Sequence, residues 1–165
     1  MNLEGANDQA ILRSINNIHS SFVRFVNTTW RNVGVYWIDY DGHAVHYKVL
    51  THGDYLDVNT FVTHPWIFID EETRDRFRVN GKEVFFPEPW FARYRGMRRE
   101  ELPARIERTF VRITLPMYSL RDLALRAIKK LLRFDHHAFL LEIPRSLQYE
   151  LASMSPRKHD PADQL

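Results

Sequence analysis

The sequence predicts an α+β fold, an N-terminal β-sandwich domain followed by a small three-helix α domain. Three observations carry that reading. From Ser21 to Leu115 the chain is a series of short runs rich in β-branched and aromatic residues, the texture of a sandwich. Two of the breaks between runs are Asp41-Gly42 and Asn80-Gly81, pairs suited to tight hairpins because both tolerate positive φ. After Pro116 the period changes. Apolar residues recur at Leu120, Leu123, Ala124, Ala127, Ile128 and Leu131, steps of three and four that form one helical face.

Residues 1–12 open as MNLEGANDQA, polar and without an apolar signal core, so a frayed N-terminus is expected. A β domain is expected over 13–116. In it SFVRFVNTT alternates apolar and polar residues, VGVYWIDY and HAVHYKVL flank Asp41-Gly42, and His52-Gly53-Asp54 marks the next turn. YLDVNTFV and WIFID follow, then RFRVN and GKEVFF around Asn80-Gly81, then ERTFVRITL. That makes about seven short strands. The Pro-, Arg- and Glu-rich stretch from Pro87 to Ile106 reads as a solvated insertion, with a short helix in MRREELPARI.

The α domain is expected over 117–154. Ser119 can cap its first helix, with Asp122 three residues on as the acidic half of a capping box. Lys129, Lys130 and Arg133 sit where the helix dipole favours cations. A second short helix starts after Asp135, and a third at Pro144, presenting Ile143, Leu147, Leu151 and Met154 on one side. Residues 155–165 are polar, carry two prolines and read as a disordered tail. Leu125 and Leu132 lie off the main stripe of the first helix, so its apolar arc spans more than half the circumference. Two short neighbours cannot cover that. Packing on the sheet is one solution; docking into a partner's groove is the sharper one.

Composition narrows the function. The chain has 165 residues, 44% hydrophobic and 27% charged, with a formal net charge of +2, too weak a basic bias for nucleic acid. It has no cysteine, which removes disulfides and zinc thiolates. No apolar run approaches the ~20 residues of a membrane span, and a cytoplasmic or nuclear protein is expected. Two chemistries compete with a non-enzymatic adaptor. His52-x-Asp54 matches half of an iron oxygenase triad, with His136 or His137 as a distal ligand, although Gly53 more simply marks a turn. A zinc site from His43, His46 and His52 is weaker, because His43 and His46 fall on opposite faces of a strand. A generic β-sandwich interaction module is the remaining alternative.

The order of residues adds a family. Ser119-Leu120, Ala124 and Ile128 resemble the elongin C-binding box of ubiquitin-ligase substrate receptors, and Ile143-Pro144-Arg145-Ser146-Leu147 resembles the cullin-binding box that follows it. From about Arg13 to Leu151 the chain resembles the von Hippel-Lindau tumour suppressor family, through RSIN, VYWIDYDG, the run from Tyr47 to Trp66, ITLPMYSL and PRSL. The resemblance implies a substrate-binding sandwich and an α domain that joins elongin C, elongin B and a type-2 cullin with its RING subunit. The implied substrate is the prolyl-hydroxylated α subunit of hypoxia-inducible factor, and no cofactor or metal is implied. Carried over by position, the hydroxyproline pocket is Trp37, Tyr47, Thr60, His64 and Trp66, with Asn16 and Asn59 as peptide contacts. Elongin C would meet Leu115, Leu120, Leu123, Ala124, Ile128 and Leu147; the cullin would meet Arg121, Ile143, Pro144 and Glu150. Thr60 stands for a serine and keeps the hydroxyl. The chain departs from the family in three further ways: Ala124 stands for the vertebrate cysteine, the 88–106 loop is longer, and the final helix is absent or shortened.

The pocket residues suit that ligand chemically. Thr60, His64 and Trp66 are separated by even steps, which in an extended segment would put them on one side, where Tyr47 can meet them. Two aromatics can wrap a pyrrolidine ring while a hydroxyl and an imidazole bond one substrate hydroxyl.

Overall fold

A computed structural model describes residues 11–154. The frayed start and the tail expected from sequence lie outside the described residues, apart from Ile11 and Leu12, which lie beside the Gly42 turn. Six strands form two three-stranded sheets: β1 (Ser20–Asn27), β2 (Val33–Ile38), β3 (Ala44–Leu50), β4 (Tyr55–Phe61), β5 (Trp66–Asp70) and β6 (Thr109–Ile113). One sheet runs β4-β1-β6 and the other β3-β2-β5. β1 is antiparallel to β4 and parallel to β6. Strict alternation along β1 buries Ser21, Val23, Phe25 and Asn27, and Phe25 packs edge-on against Phe68 and tilted against Trp66 across the sheet interface. That apolar layer is the sandwich core.

The Asp-Gly hairpin forms as expected: β2 and β3 pair antiparallel around it, with Gly42 at φ 86°. Around Asn80-Gly81 the turn is also correct, both residues having positive φ (52° and 75°) and Val79 and Lys82 exchanging backbone hydrogen bonds. The expected seventh strand pair is not there. Phe77 donates to Phe68 on β5, Arg78 and Thr114 exchange bonds beyond β6, and Phe85 returns to Trp66. Residues 76–86 therefore stitch one sheet to the other instead of extending either, which leaves isolated bridges.

Asn27 shows how the loop below the core is held. Its buried side chain donates to the Arg31 and Leu50 carbonyls (2.7 and 2.9 Å) and accepts from the Thr29 amide and hydroxyl (2.9 and 2.8 Å). Removing it strands several buried groups, each worth ~1–3 kcal/mol when unsatisfied. Asn27→Ala is expected to cost about 3 kcal/mol or more in a urea melt; a change under about 1 kcal/mol would mean water replaces the side chain.

The 88–106 insertion contains two short 3-10 turns, Ala92–Tyr94 and Arg99–Glu101, the second within the segment expected to be helical. It is tied to the start of β1 by the Trp90 amide on the Ser20 carbonyl (3.0 Å).

The α domain holds α1 (Leu120–Leu131), a 3-10 helix (Asp135–Leu140) and α2 (Arg145–Ser153). Ser119 and Asp122 form the expected capping box. Pro144 is the N-cap of α2, one residue before the helix instead of in its first turn. Leu125, Ala138 and Leu151 are buried together, with Ile128, Leu132, Ile143 and Leu147 packed around them. The joint to the sandwich is Asp75, which takes the Arg126 guanidinium through both oxygens and the Tyr118 hydroxyl at 3.1 Å. Burial, with the Asp75 charge adding to it, pushes the Tyr118 phenol up to about 12, so it stays a donor to that carboxylate.

Candidate functional site

Register explains how the aromatic residues meet. Trp37 on β2 lies directly opposite Trp66 on β5, and facing residues on neighbouring strands share a side of the sheet. On the other flank β3 carries a bulge: Val35 pairs with Lys48 and Tyr36 with His46, leaving Tyr47 as the extra residue. In unbroken register Tyr47 would face away with Tyr36. A bulge can re-aim such a side chain, and the Tyr47 ring stands edge-on to Trp66 at 4.9 Å. Trp66 is almost fully buried, yet its Nε1 donates to Thr60 Oγ1 (3.1 Å). With that lone pair taken, the buried Thr60 hydroxyl is left its proton to donate.

His64 completes the cluster. The residue is only 8% exposed; its ring stacks on Trp37 at 5.2 Å and has Nε2 at 3.1 Å from the Tyr40 hydroxyl. Burial holds its pKa below the ordinary 6.5, against the opposing hydrogen bond of the Asn16 backbone. The imidazole is therefore neutral at physiological pH. The unfolded chain takes up this proton near 6.5 and the folded chain only at lower pH. The stability that comes from burying a neutral His64 is thus full above pH 6.5 and lost as pH falls through the folded value. Tm is expected to drop below pH 6.5, and less steeply in His64→Asn; an equal drop in both would assign the effect elsewhere.

Even spacing is not what joins Thr60, His64 and Trp66. β4 ends at Phe61 and β5, in the other sheet, begins at Trp66. Between them the chain turns, with the His64 amide on the Phe61 carbonyl. The crossover folds His64 back against Trp37. Asn16 lies close by, its backbone exchanging bonds with the Thr63 hydroxyl (3.0 and 2.8 Å) and its side-chain oxygen accepting from the Ile18 amide. Asn59 does not join the cluster. It sits on the exposed face of β4, between buried Val58 and Thr60, where it accepts from Arg108.

Two residues of the cluster were not singled out by sequence. Ser14 accepts from Trp37 Nε1 (2.8 Å) and donates to the Ile38 carbonyl (2.6 Å), fixing the indole; it lies in the RSIN run but carries no spacing signal. Tyr40, in the hairpin loop, has no sequence signal beyond its place next to Asp41-Gly42.

On the α domain, the apolar arc of α1 divides in two. Leu125, Ile128 and Leu132 face the domain's own core. Leu120 (83% exposed), Leu123, Ala124 and Leu131 face outward, beside exposed Leu115. Ile128 and Leu147 are thus half-buried, and brace the helix from within. Arg121 and Glu150 pair through both oxygens (2.8 and 2.6 Å), linking α1 to α2 at the surface. Ile143 packs into the α core and Pro144 is exposed.

The residues considered for metals are otherwise engaged. His52 Nδ1 lies 3.0 Å from the Thr29 carbonyl, with its ring stacked on Trp30. Asp54 is paired with Lys48, and His136 stacks on Phe134 in the α domain. Among the described residues, one group of three possible ligands converges, Asp39, Asp41 and His43. There the Asp39 carboxylate already accepts from the Asp41 and His43 amides.

Comparison with known proteins finds a matching family and a relative. The family model described as the VHL beta domain matches residues 12–93. Protein Vhl of Drosophila melanogaster is 31% identical over 142 residues, covering 81% of this chain and 76% of that protein.

Proposed function

The chain belongs to the von Hippel-Lindau family, whose members are substrate-recognition adaptors and not catalysts, and on that premise we propose that it is the substrate receptor of a cullin-RING ubiquitin ligase that reads 4-hydroxyproline. The substrate is the prolyl-hydroxylated α subunit of hypoxia-inducible factor. Elongin C, with elongin B, docks on the α domain and connects it to a type-2 cullin and its RING subunit.

The observation that carries the reading is the convergence of Trp37, Tyr47 and Trp66 around one buried hydroxyl, Thr60, and one neutral imidazole, His64. The aromatic faces suit a pyrrolidine ring. Thr60 can donate to a ligand hydroxyl, and a neutral imidazole nitrogen can accept from it. Unmodified proline offers neither bond and would desolvate both groups for nothing, at ~1–3 kcal/mol each. Hydroxylation then acts as a binding switch.

Support for the partner comes from the outward half of the α1 arc. Leu120 and Ala124 stand one turn apart on it, a knob beside a small residue that admits close approach. The Arg121–Glu150 pair and Pro144 offer a separate polar edge for the cullin. Reconstitution with elongin B, elongin C, cullin and RING subunit tests the whole assignment. Ubiquitin should be transferred to a hydroxylated substrate and not to its proline twin; transfer to both alike would remove the switch.

A further inference from the structure

We propose that the 88–106 insertion is a second binding element for the substrate, one that takes acidic residues flanking the hydroxylated proline through Arg95, Arg99 and Arg105. The inference rests on the hydroxyproline reading above and adds to it a preference for the sequence around the proline.

Charge singles out the segment. The chain has 23 lysines and arginines against 21 acidic residues, and seven of the arginines but only three of the acids fall between Arg93 and Arg112. The rest of the chain is therefore net negative. Within the segment several charges are already paired. Arg93 faces Glu107 at 3.9 Å, Arg98 holds Glu101 at 2.7 Å, and Arg108 reaches Asp57 at 3.5 Å. Arg95, Arg99 and Arg105 are exposed and have no carboxylate partner among the described residues. Of the three glutamates, Glu100 alone is left to oppose them.

Position ties these arginines to the pocket. Phe85, just before the insertion, exchanges both backbone hydrogen bonds with Trp66 (2.9 Å each). The Trp90 amide bonds the Ser20 carbonyl, and Ser20 pairs with Phe61, the neighbour of Thr60. On the return, Arg108 donates to the Val58 carbonyl and to Asn59, just before Thr60 in sequence. The Glu107 amide donates to the Tyr94 hydroxyl at 3.4 Å, which closes the base of the loop. From that base the twelve residues 95–106 can extend no more than about 20 Å. An extended peptide covers that distance in roughly six residues. β4 is an edge strand, and a substrate flank that leaves the pocket over it comes within the arginines' reach.

The chemistry favours carboxylates on a peptide. A guanidinium bonds a carboxylate through two parallel N–H···O contacts. Between the arginines stand exposed Met97, Leu102 and Ile106, which suit apolar side chains of the same peptide. Residues 95–106 contain no aromatic, so they offer no platform for the stacked bases of a single-stranded nucleic acid. Three free arginines are also fewer than the roughly four to eight cations of a lipid-headgroup cluster. Asp57, the carboxylate of β4 itself, is neutralised: Arg24 holds it through both oxygens (2.6 and 2.7 Å) and Arg108 lies beside it.

The test is calorimetry with four peptides of one sequence. The central residue is 4-hydroxyproline or proline, and the flanks, roughly six residues on each side, carry either glutamates or glutamines. Wild type is compared with the triple variant Arg95→Gln, Arg99→Gln, Arg105→Gln. A control removes equal charge from the α domain through Lys130→Gln, Arg133→Gln and Arg145→Gln. Wild type should prefer the glutamate flanks by about five- to thirtyfold at ~50 mM salt, the sum of three exposed ion pairs, and lose most of that preference at ~500 mM. The triple variant should show less than about twofold preference with an unchanged melting curve, because its substitutions are exposed; the control should keep the wild-type preference. Equal affinity of wild type for both flanks would overturn the proposal. So would a preference that survives in the triple variant, or one lost equally in the control, where net charge alone would explain it. A single-stranded RNA and vesicles of anionic lipid are the rival ligands: binding of either that the triple variant loses, without any glutamate preference, would assign the patch to that ligand and overturn the proposal. The two readings fail separately. If hydroxyproline and proline bind alike while the glutamate preference holds, the hydroxyproline reading fails and the insertion's role stands; if no peptide binds, both are overturned.

Discussion

Replacing Leu120 with aspartate is expected to weaken association with elongin C by more than about a hundredfold. Leu120 is the first residue of α1 and is almost wholly exposed, so it contributes little to the α domain's own core. A carboxylate there would have to enter an apolar pocket on the partner without a counter-ion. The same carboxylate is favourable for the isolated helix, because it sits in the first turn near the positive end of the dipole. Loss of binding with an unchanged melting curve would therefore be loss of the contact and not of the fold. Co-purification at wild-type yield would show that this face of α1 serves something else. The contrast with Leu125 is instructive. That side chain is buried among Ala138 and Leu151, and its replacement by aspartate would unfold the domain without locating any partner.

His64→Ala is expected to cost the hydroxylated peptide roughly 1.5–3 kcal/mol, or about 10- to 150-fold in affinity, by leaving the ligand hydroxyl buried with one partner fewer. The proline peptide, already weak, should change little. Thr60→Val should act in the same direction, because it keeps the shape and deletes the donor. Thr60→Ser restores a hydroxyl and should keep the preference. Thr60 also receives the Trp66 indole N–H, so the valine variant leaves that donor unpaired as well, and part of its cost should appear as lower stability. His64→Ala therefore gives the cleaner reading. If it weakens both peptides alike, His64 is a structural histidine.

Much of the fold is legible in the sequence wherever the determinant is local. Asp41-Gly42 makes its hairpin because glycine supplies the positive φ, and Ser119 with Asp122 caps α1 because the two residues need only each other. Asn80-Gly81 gives its turn for the same reason. The segment around it eluded pattern reading because its partners are Phe68, Thr114 and Trp66, distant in sequence and split between two sheets. The period of α1 is equally plain, yet periodicity does not tell which part of a wide apolar arc faces inward; packing against Ala138 and Leu151 decides that. In the pocket, the residue types were legible and the reason for their meeting was not. A bulge at Tyr47 and a crossover between sheets at His64 do what even spacing appeared to do. Asn59, adjacent to Thr60, falls on the other face of β4 for the simple reason that strands alternate. Tyr40 and Ser14 act through contacts that no spacing rule marks.

The central claim is that the pocket reads a single hydroxyl group, and the measurement that addresses it most directly is the affinity of the wild-type protein for two peptides differing only by that oxygen. Calorimetry should give a preference for the 4-hydroxyproline peptide of at least about tenfold, the cost of leaving Thr60 and His64 without a ligand partner. Equal affinity for the two peptides would contradict the account.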